Sequence, residues 1–248
     1  MRAVSAPCDD SFNRCGCCCF LCSVPHTGSC APHCDRDVVL VTLEGIDVAY
    51  PQQLVRWQGV KNDGKHFAAI KATEGLSIID PYIGHNWTGA RANGLYRIAY
   101  HFFYDSLDPI NQCRFFHNAI RSHGRFLVGD GVLVDVEEAS ISSPSTALEK
   151  IVAFVECCLV EINKAVIIYT NPDTWINILG NRTDTILSQC PLWLASYGPG
   201  VSPIKNWPNG LSFWQYSETG TCMGVDHPVD LDRFYGTEKQ LRNILWIQ

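Results

Sequence analysis

Residues 132–137 read Val-Leu-Val-Asp-Val-Glu, and this stretch carries both the fold signal and the candidate chemistry of the 248-residue chain. Its near-continuous apolar run is typical of a parallel strand that is covered on both faces. Asp135 and Glu137 stand two residues apart, so their side chains face one side of the strand, about 6.5–7 Å apart along the chain. The stretch therefore predicts a buried strand whose end directs two carboxylates into one pocket.

Similar apolar runs occur along the rest of the chain, which is 46% hydrophobic and 18% charged. Together they predict eight strands: Glu44–Val48, Phe67–Ala72, Tyr96–Phe103, Val132–Val136, Ala165–Tyr169, Leu192–Tyr197, Leu211–Tyr216 and Pro228–Leu231. Helical patterns lie mainly between the first six of them. This order predicts an α/β fold, an irregular TIM-like β/α barrel with eight strands and fewer than eight helices.

The clearest helical pattern runs from Pro144 to Asn163, where apolar residues recur at helical spacing. Ser143 and Pro144 predict its start, with a capping serine followed by proline at the first helical position. Residues 81–93 and 109–123 predict two further helices, each followed by glycine. Loops too short for full helices precede the last strands, so the final third of the barrel is expected to be irregular.

Four acids fall on predicted strands or at their ends: Asp47 on the first, Asp135 and Glu137 on the fourth, and Asp230 on the last. A single acid in such a place is most simply a salt-bridged or capping residue. Several at matching positions favour a catalytic site, because the chemistry of these barrels lies at the carboxyl ends of the strands. Glycoside cleavage uses two such groups, one to protonate the departing oxygen and one to stabilise positive charge.

The chain also resembles the glycoside hydrolase family 25 lysozymes, from about Leu43 to Gly236. The matching motifs, in order, are Gly45-Ile46-Asp47-Val48, Ile70-Lys71-Ala72-Thr73-Glu74-Gly75, Asp80-Pro81-Tyr82, Asn86-Trp87-Thr88-Gly89-Ala90-Arg91, Gly94-Leu95, Tyr100-His101-Phe102, Asp135-Val136-Glu137, Ile168-Tyr169-Thr170, Leu192-Trp193-Leu194-Ala195-Ser196-Tyr197, Trp214-Gln215-Tyr216-Ser217 and Val229-Asp230. Each motif alone is weak, but the ordered set is specific.

The resemblance implies hydrolysis of the β-1,4 bond between N-acetylmuramic acid and N-acetylglucosamine in bacterial peptidoglycan, with retention of configuration and without metal or other cofactor. Glu137 matches the general acid. Asp135 matches its partner, either a nucleophile or the group that orients the 2-acetamido oxygen of the substrate. Asp47 and Asp230 match two further active-site acids.

The resemblance also assigns five residues to the sugar groove: Lys71, Tyr100, Tyr169, Trp193 and Trp214. For the two tryptophans, filling of the barrel is an equal alternative. Glu74, close to Lys71, is expected to order the loop at the strand end. His101 is expected to be a hydrogen-bonded barrel residue, and the histidines form no His-x-His or His-Glu-x-x-His pattern, which disfavours a metal-dependent deacetylase or amidase.

The first 37 residues differ in composition from residues 38–248, the predicted catalytic domain. Eight of the 13 cysteines lie before residue 35. This Cys-rich segment is open to three interpretations: a zinc knuckle, a disulfide cluster, or a poorly ordered leader. In the barrel part, Cys190 and Cys222 are a possible disulfide pair.

The formal net charge of −6, without a basic stripe, argues against nucleic-acid binding. No apolar run is long enough to span a bilayer, and Asp9 and Asp10 precede a short apolar stretch, which makes a poor signal peptide. We expect a monomer that acts on the cell wall outside the cell, as a phage endolysin or a bacterial autolysin. The alternative is a catalytically silent barrel that binds peptidoglycan.

Overall fold

The computed structural model describes residues 41–182, 186–201, 204 and 207–245. The Cys-rich segment and the predicted boundary at residues 37 and 38 lie outside these residues. The division into a segment 1–37 and a domain 38–248 therefore stays a prediction.

Eight strands close into a barrel, and a ninth short strand extends one of them. In chain order the strands are β1 (Thr42–Val48), β2 (Phe67–Glu74), β3 (Ile78–Ile79), β4 (Tyr96–Phe102), β5 (Asp130–Asp135), β6 (Val166–Thr170), β7 (Leu192–Ala195), β8 (Leu211–Gly220) and β9 (Val229–Tyr235). The short β3 pairs antiparallel with the end of β2. The other neighbours from β1 to β8 are parallel, whereas β9 is antiparallel to both β8 and β1 and closes the barrel. The predicted fold class is confirmed.

The described residues contain five α-helices: α1 (Trp57–Asn62), α2 (Ile83–Ala92), α3 (Pro109–Ser122), α4 (Pro144–Glu161) and α5 (Glu238–Ile244). The three predicted helices correspond to α2, α3 and α4, with ends that differ by two residues at most. Between β6 and β7 the chain forms a short π-helical segment, Asp173–Ile178, and no described helix separates β8 from β9. The late part of the barrel is thus irregular, as expected.

One detail of α4 differs from the prediction. Ser143 occupies the position before Pro144, but its side chain makes no capping hydrogen bond. Its backbone N–H instead donates to Oδ2 of Asp105 at 2.6 Å. The carboxylate of a neighbouring loop therefore takes part in the start of the helix, and proline at the first position is confirmed.

The two ends of the barrel interior differ in the side chains that fill them. Where the parallel strands begin, aromatic rings fill it: Trp193 stacks on Phe213 at 4.6 Å between ring centroids, and Phe67 meets both rings edge-on. Burial of such rings supplies a large share of the apolar stabilisation. Polar side chains occupy the other end, where the strands finish.

Candidate active site

A cavity of about 90 Å³ lies at the end of the barrel where the parallel strands finish. Its walls are formed by Asp47, Ala69, Tyr100, Leu133, Asp135, Glu137, Tyr169, Trp193, Gln215 and Asp230. A wider groove of about 560 Å³ shares four of these residues and adds Asn171, Ala195, Ser196, Tyr197 and Glu218. The structure therefore brings all four predicted acids together around one cavity.

Asp135 is the last residue of β5, and Glu137 lies just beyond the strand rather than on it. The backbone at Glu137 is still extended, with φ −124° and ψ 168°. The alternation of the strand therefore continues for two residues, and both side chains reach the cavity as predicted. Glu138, which alternates to the other side, is exposed and begins a short 3-10 helix.

The two carboxyl groups of Asp135 and Glu137 form a tightly coupled pair. Burial raises the pKa of Asp135 well above its usual value, and the neighbouring charge of Glu137 raises it further. Burial also raises the pKa of Glu137. Oδ1 of Asp135 has no N–H or O–H donor in the described residues, so the pair is best satisfied by one shared proton.

Asp47 and Asp230 face each other across the pairing of β1 with β9. Burial raises the pKa of Asp47 well above its usual value, and raises that of Asp230 to about 9 with help from the charge of Asp47. Their shared donor is Gln215, whose Nε2 lies 2.7 Å from Oδ2 of Asp47 and 3.5 Å from Oδ2 of Asp230.

Gln215 was not among the candidate residues, yet it connects most of the site. Besides donating to two acids, its Oε1 accepts hydrogen bonds from the hydroxyl groups of Tyr169 at 2.9 Å and Tyr197 at 2.6 Å. The carboxylates accept from the nitrogen of the side-chain amide and the hydroxyl groups donate to its oxygen, so these contacts determine the orientation of the amide group. The signal was present in the motif at residues 214–217, but an uncharged amide gives no charge pattern by which to single it out.

Asp232 is the second residue that the sequence analysis missed. It is fully buried on β9, and its Oδ1 accepts a hydrogen bond from Nε1 of Trp193 at 3.2 Å. It follows Asp230 by two residues, the same spacing that links Asp135 to Glu137. That repeated spacing could have identified it.

The predicted groove residues fall into two groups. Tyr100, Tyr169 and Trp193 line the cavity, although Trp193 is completely buried and also fills the barrel. Lys71 and Trp214 do not line it. Nζ of Lys71 donates to Glu74 at 2.7 Å, and the indole of Trp214 donates to the backbone oxygen of residue 196 at 2.7 Å.

Two other expectations, for Glu74 and His101, can be compared with the structure. Glu74 accepts hydrogen bonds from Lys71 and from Tyr104, so it does order the strand-end loop. His101 is buried and lies within hydrogen-bond distance of Thr73 and Gln112, so its role as a hydrogen-bonded barrel residue is confirmed.

The possible disulfide between Cys190 and Cys222 is wrong. Both residues are free thiols. The cause is their placement: Sγ of Cys190 donates to the carbonyl of Ile186, while Cys222 follows β8 and donates to the carbonyl of Met223. Each thiol is directed to its own local backbone rather than to the other.

Two kinds of feature are absent from the described ranges. Within those ranges, no three His, Cys, Asp or Glu side chains are grouped so that they could hold a metal ion. No helix found there has the length and apolar character needed to cross a membrane.

The closed barrel with its acid-lined cavity is typical of a glycoside hydrolase, a class of enzymes that commonly use paired carboxyl groups. Residues 46–225 match the family model of glycosyl hydrolases family 25, and the chain belongs to this family. It is therefore a glycoside hydrolase of the lysozyme type.

Individual relatives are similar over most of the chain. The uncharacterized protein YegX of Escherichia coli K12 is 32% identical over 212 residues, which cover 81% of this chain and 72% of YegX. Lysozyme M1 of Streptomyces globisporus is 29% identical over 80% of this chain and 70% of its own length. The crystal structure of a bacterial lysozyme from Streptomyces coelicolor superimposes with a TM-score of 0.73 at 28% identity, covering 82% of this chain and 96% of that one.

Proposed function

We propose that the protein hydrolyses the β-1,4 bond between N-acetylmuramic acid and N-acetylglucosamine in bacterial peptidoglycan, outside the cell that makes it or in a lysing host. The coupled pair of Asp135 and Glu137 carries this proposal, because two carboxyl groups that share one proton can supply both an acid and an anion. The names of relatives that are lysozymes and muramidases support the choice of substrate.

Glu137 is the proton donor in this scheme. It lines both the cavity and the wider groove, where the leaving sugar would lie. When the proton of the pair passes to the glycosidic oxygen through Glu137, both carboxyl groups are left ionised, and Asp135 faces the developing positive charge as a carboxylate. Asp135 then acts either as nucleophile or by orienting the acetamido oxygen of the substrate, and net retention of configuration is expected in both cases.

Asp47 and Asp230 would hold the substrate or the attacking water from the opposite wall. The groove offers aromatic and hydroxyl groups at Tyr169 and Tyr197, which suit stacking and hydrogen bonding with sugar rings. Lys71 and Trp214 are proposed to bind substrate beyond the cavity.

Digestion of purified cell walls, followed by mass spectrometry of the reducing ends, tests the proposed bond. New reducing muramic-acid ends are expected. Reducing glucosamine ends, or released peptides alone, would contradict the proposal, and binding without any cleavage would mark a silent peptidoglycan-binding barrel.

Glu137→Gln tests the assignment of the acid. Gln keeps the shape of the side chain but cannot deliver a proton, so we expect turnover to fall by roughly 10²–10⁴-fold, with the melting temperature unchanged or higher. Glu138→Gln, one residue further on an exposed side chain, is the matched control and should retain wild-type turnover. Near-full activity of Glu137→Gln would show that another residue is the acid.

A further inference from the structure

Asp232 lies at the base of the acid site and has no part in the scheme above. It is fully buried and stands in register with Gly45 of β1 and Gln215 of β8. Its carboxyl group lies within hydrogen-bond reach of that of Asp47. A buried acid in this position costs free energy unless both of its oxygens have hydrogen-bond partners.

The available donors account for only part of the need. Trp193 donates to Oδ1 of Asp232, whereas Oδ2 has no N–H or O–H donor in the described residues. Gln215 donates to Asp47 from the other side. Since two ionised carboxylates cannot hydrogen bond with each other, contact between Asp47 and Asp232 requires a proton on one of them.

The surroundings of Asp47 and Asp232 favour a proton on this pair. The groups that act on Asp232 are Asp47 from β1, Asp230 from its own strand and Lys65 from the loop before β2, besides the neutral Trp193 and Gln215. Burial raises the pKa of Asp232 well above its usual value, and the charge of Asp230 raises it further. The hydrogen bonds with Trp193 and Asp47 and the charge of Lys65 oppose this only in part.

We infer that Asp232 is a positioning residue that orients the carboxyl group of Asp47 through a shared proton. This inference rests on the proposed function, because it gives Asp47 its orientation in the substrate cavity. Asp47 is then held by the amide of Gln215 and by the carboxyl groups of Asp232 and its cross-strand neighbour Asp230. Without Asp232 the carboxyl group of Asp47 can rotate, and a misplaced catalytic group can cost on the order of 10²-fold in rate.

Two substitutions separate this role from a packing role. Asp232→Leu fills the same space but cannot donate or accept, so we expect kcat on soluble peptidoglycan fragments to fall by roughly 10–100-fold with little change in KM. Asp232→Asn can still accept from Trp193 and donate to Asp47, and is expected to recover most of that loss. Asp226→Leu, which removes an exposed acid shortly before β9, is the matched control and should leave kcat unchanged.

The melting temperatures of the variants decide between positioning and packing. The inference requires that Asp232→Leu lose turnover while melting at or above the wild-type temperature at pH 8, because the substitution removes a buried ionisable group. A loss of turnover that only follows a loss of folding would overturn it. So would a kcat of Asp232→Leu within threefold of the wild type, or an Asp232→Asn variant as impaired as Asp232→Leu.

A measurement without substrate tests the shared proton itself. If the folded pair holds a proton that the unfolded chain releases, the free energy of unfolding must fall as pH rises above about 4. In Asp232→Asn, this fall should be shallower than in the wild type. Identical slopes would overturn the inference whatever the substrate is, whereas absence of muramic-acid ends from a wild-type digest with unequal slopes would overturn only the proposed function.

Discussion

Asp130 and Asp135 stand at opposite ends of the same strand, β5, and both are buried. They differ in the number of hydrogen-bond donors around the carboxyl group. Asp130 accepts three hydrogen bonds, from Nε and Nη2 of Arg97 at 2.8 and 2.5 Å and from the backbone N–H of Leu127 at 2.7 Å. Asp135 shares its environment with other acids and has an oxygen without any N–H or O–H donor in the described residues.

Asp105 shows that hydrogen-bond donors can outweigh burial. Its side chain is buried. Although burial acts to raise it, its pKa lies below the usual value, because the backbone and hydroxyl group of Ser142 and the backbone of Ser143 donate to its carboxylate. The acids around the cavity have fewer donors, so burial and the neighbouring carboxyl groups raise their pKa values. A buried carboxyl group surrounded by donors is thus held ionised, whereas one among other carboxyl groups tends to keep a proton, as the proposed acid chemistry requires.

The largest effect that this comparison predicts is on stability at the structural end of β5. Arg97→Met leaves Asp130 buried without its main partner, so we expect the free energy of unfolding to fall by about 3–5 kcal/mol. Urea denaturation measures it. Arg114→Met, which breaks an exposed pair with Glu161, is the control and should cost no more than about 1 kcal/mol. Equal losses in the two variants would show that the pairing of Asp130 is not what stabilises it.

Strand direction explains how far the sequence could separate these two acids. Both flank the same apolar run, and composition does not distinguish them. The rule that barrel chemistry lies at the carboxyl ends of strands selected Asp135, and the structure places Asp135 at the cavity. The apolar runs likewise predicted all eight barrel strands, because strands buried on both faces leave few positions for polar residues.

The same rule explains what was missed. It holds for parallel strands, whereas β9 runs antiparallel to its neighbours and has its beginning at the cavity. Asp232, one residue after the predicted strand Pro228–Leu231, was therefore not singled out. Gln215 was missed because its importance comes from four hydrogen bonds to partners on three other strands and a loop. The placement of Lys71 and Trp214 outside the cavity depends on side-chain direction, which spacing along the chain does not determine.

At the active end of β5 and β9, the comparison predicts a gain of stability on removing a charge. The pKa of Asp230 in the folded protein is about 9, above the value of about 3.9 in an unfolded chain. Between these values the folded state binds the extra proton, so the wild-type protein loses stability as pH rises from about 4 to about 9. Asp230→Asn removes this loss.

We expect Asp230→Asn to be more stable than the wild type at pH 8, by at least about 1 kcal/mol, while its cell-wall hydrolysis falls. A shift of one pKa unit corresponds to about 1.4 kcal/mol of stability. For a domain of this size, a gain of that order raises the melting temperature by several degrees. Thermal unfolding at pH 4 and pH 8 tests this. At pH 4 the difference should nearly vanish, and a variant less stable than the wild type at both pH values would contradict the assignment of Asp230 as an unsatisfied acid.

The smallest effect concerns Lys71, a cation that acts on the acid pair from outside the cavity. Its charge lowers the pKa values of both Asp135 and Glu137, against the effect of burial. Lys71→Met removes that charge, so both pKa values should rise, and the pH profile of kcat/KM should move to higher pH by up to about one unit. Tyr104→Phe, which removes the other hydrogen bond to Glu74 but no charge, should leave the profile in place. A profile of Lys71→Met that stays in place or moves to lower pH would show that the charge of Lys71 does not reach the pair, and that the acids are governed by burial and by one another alone.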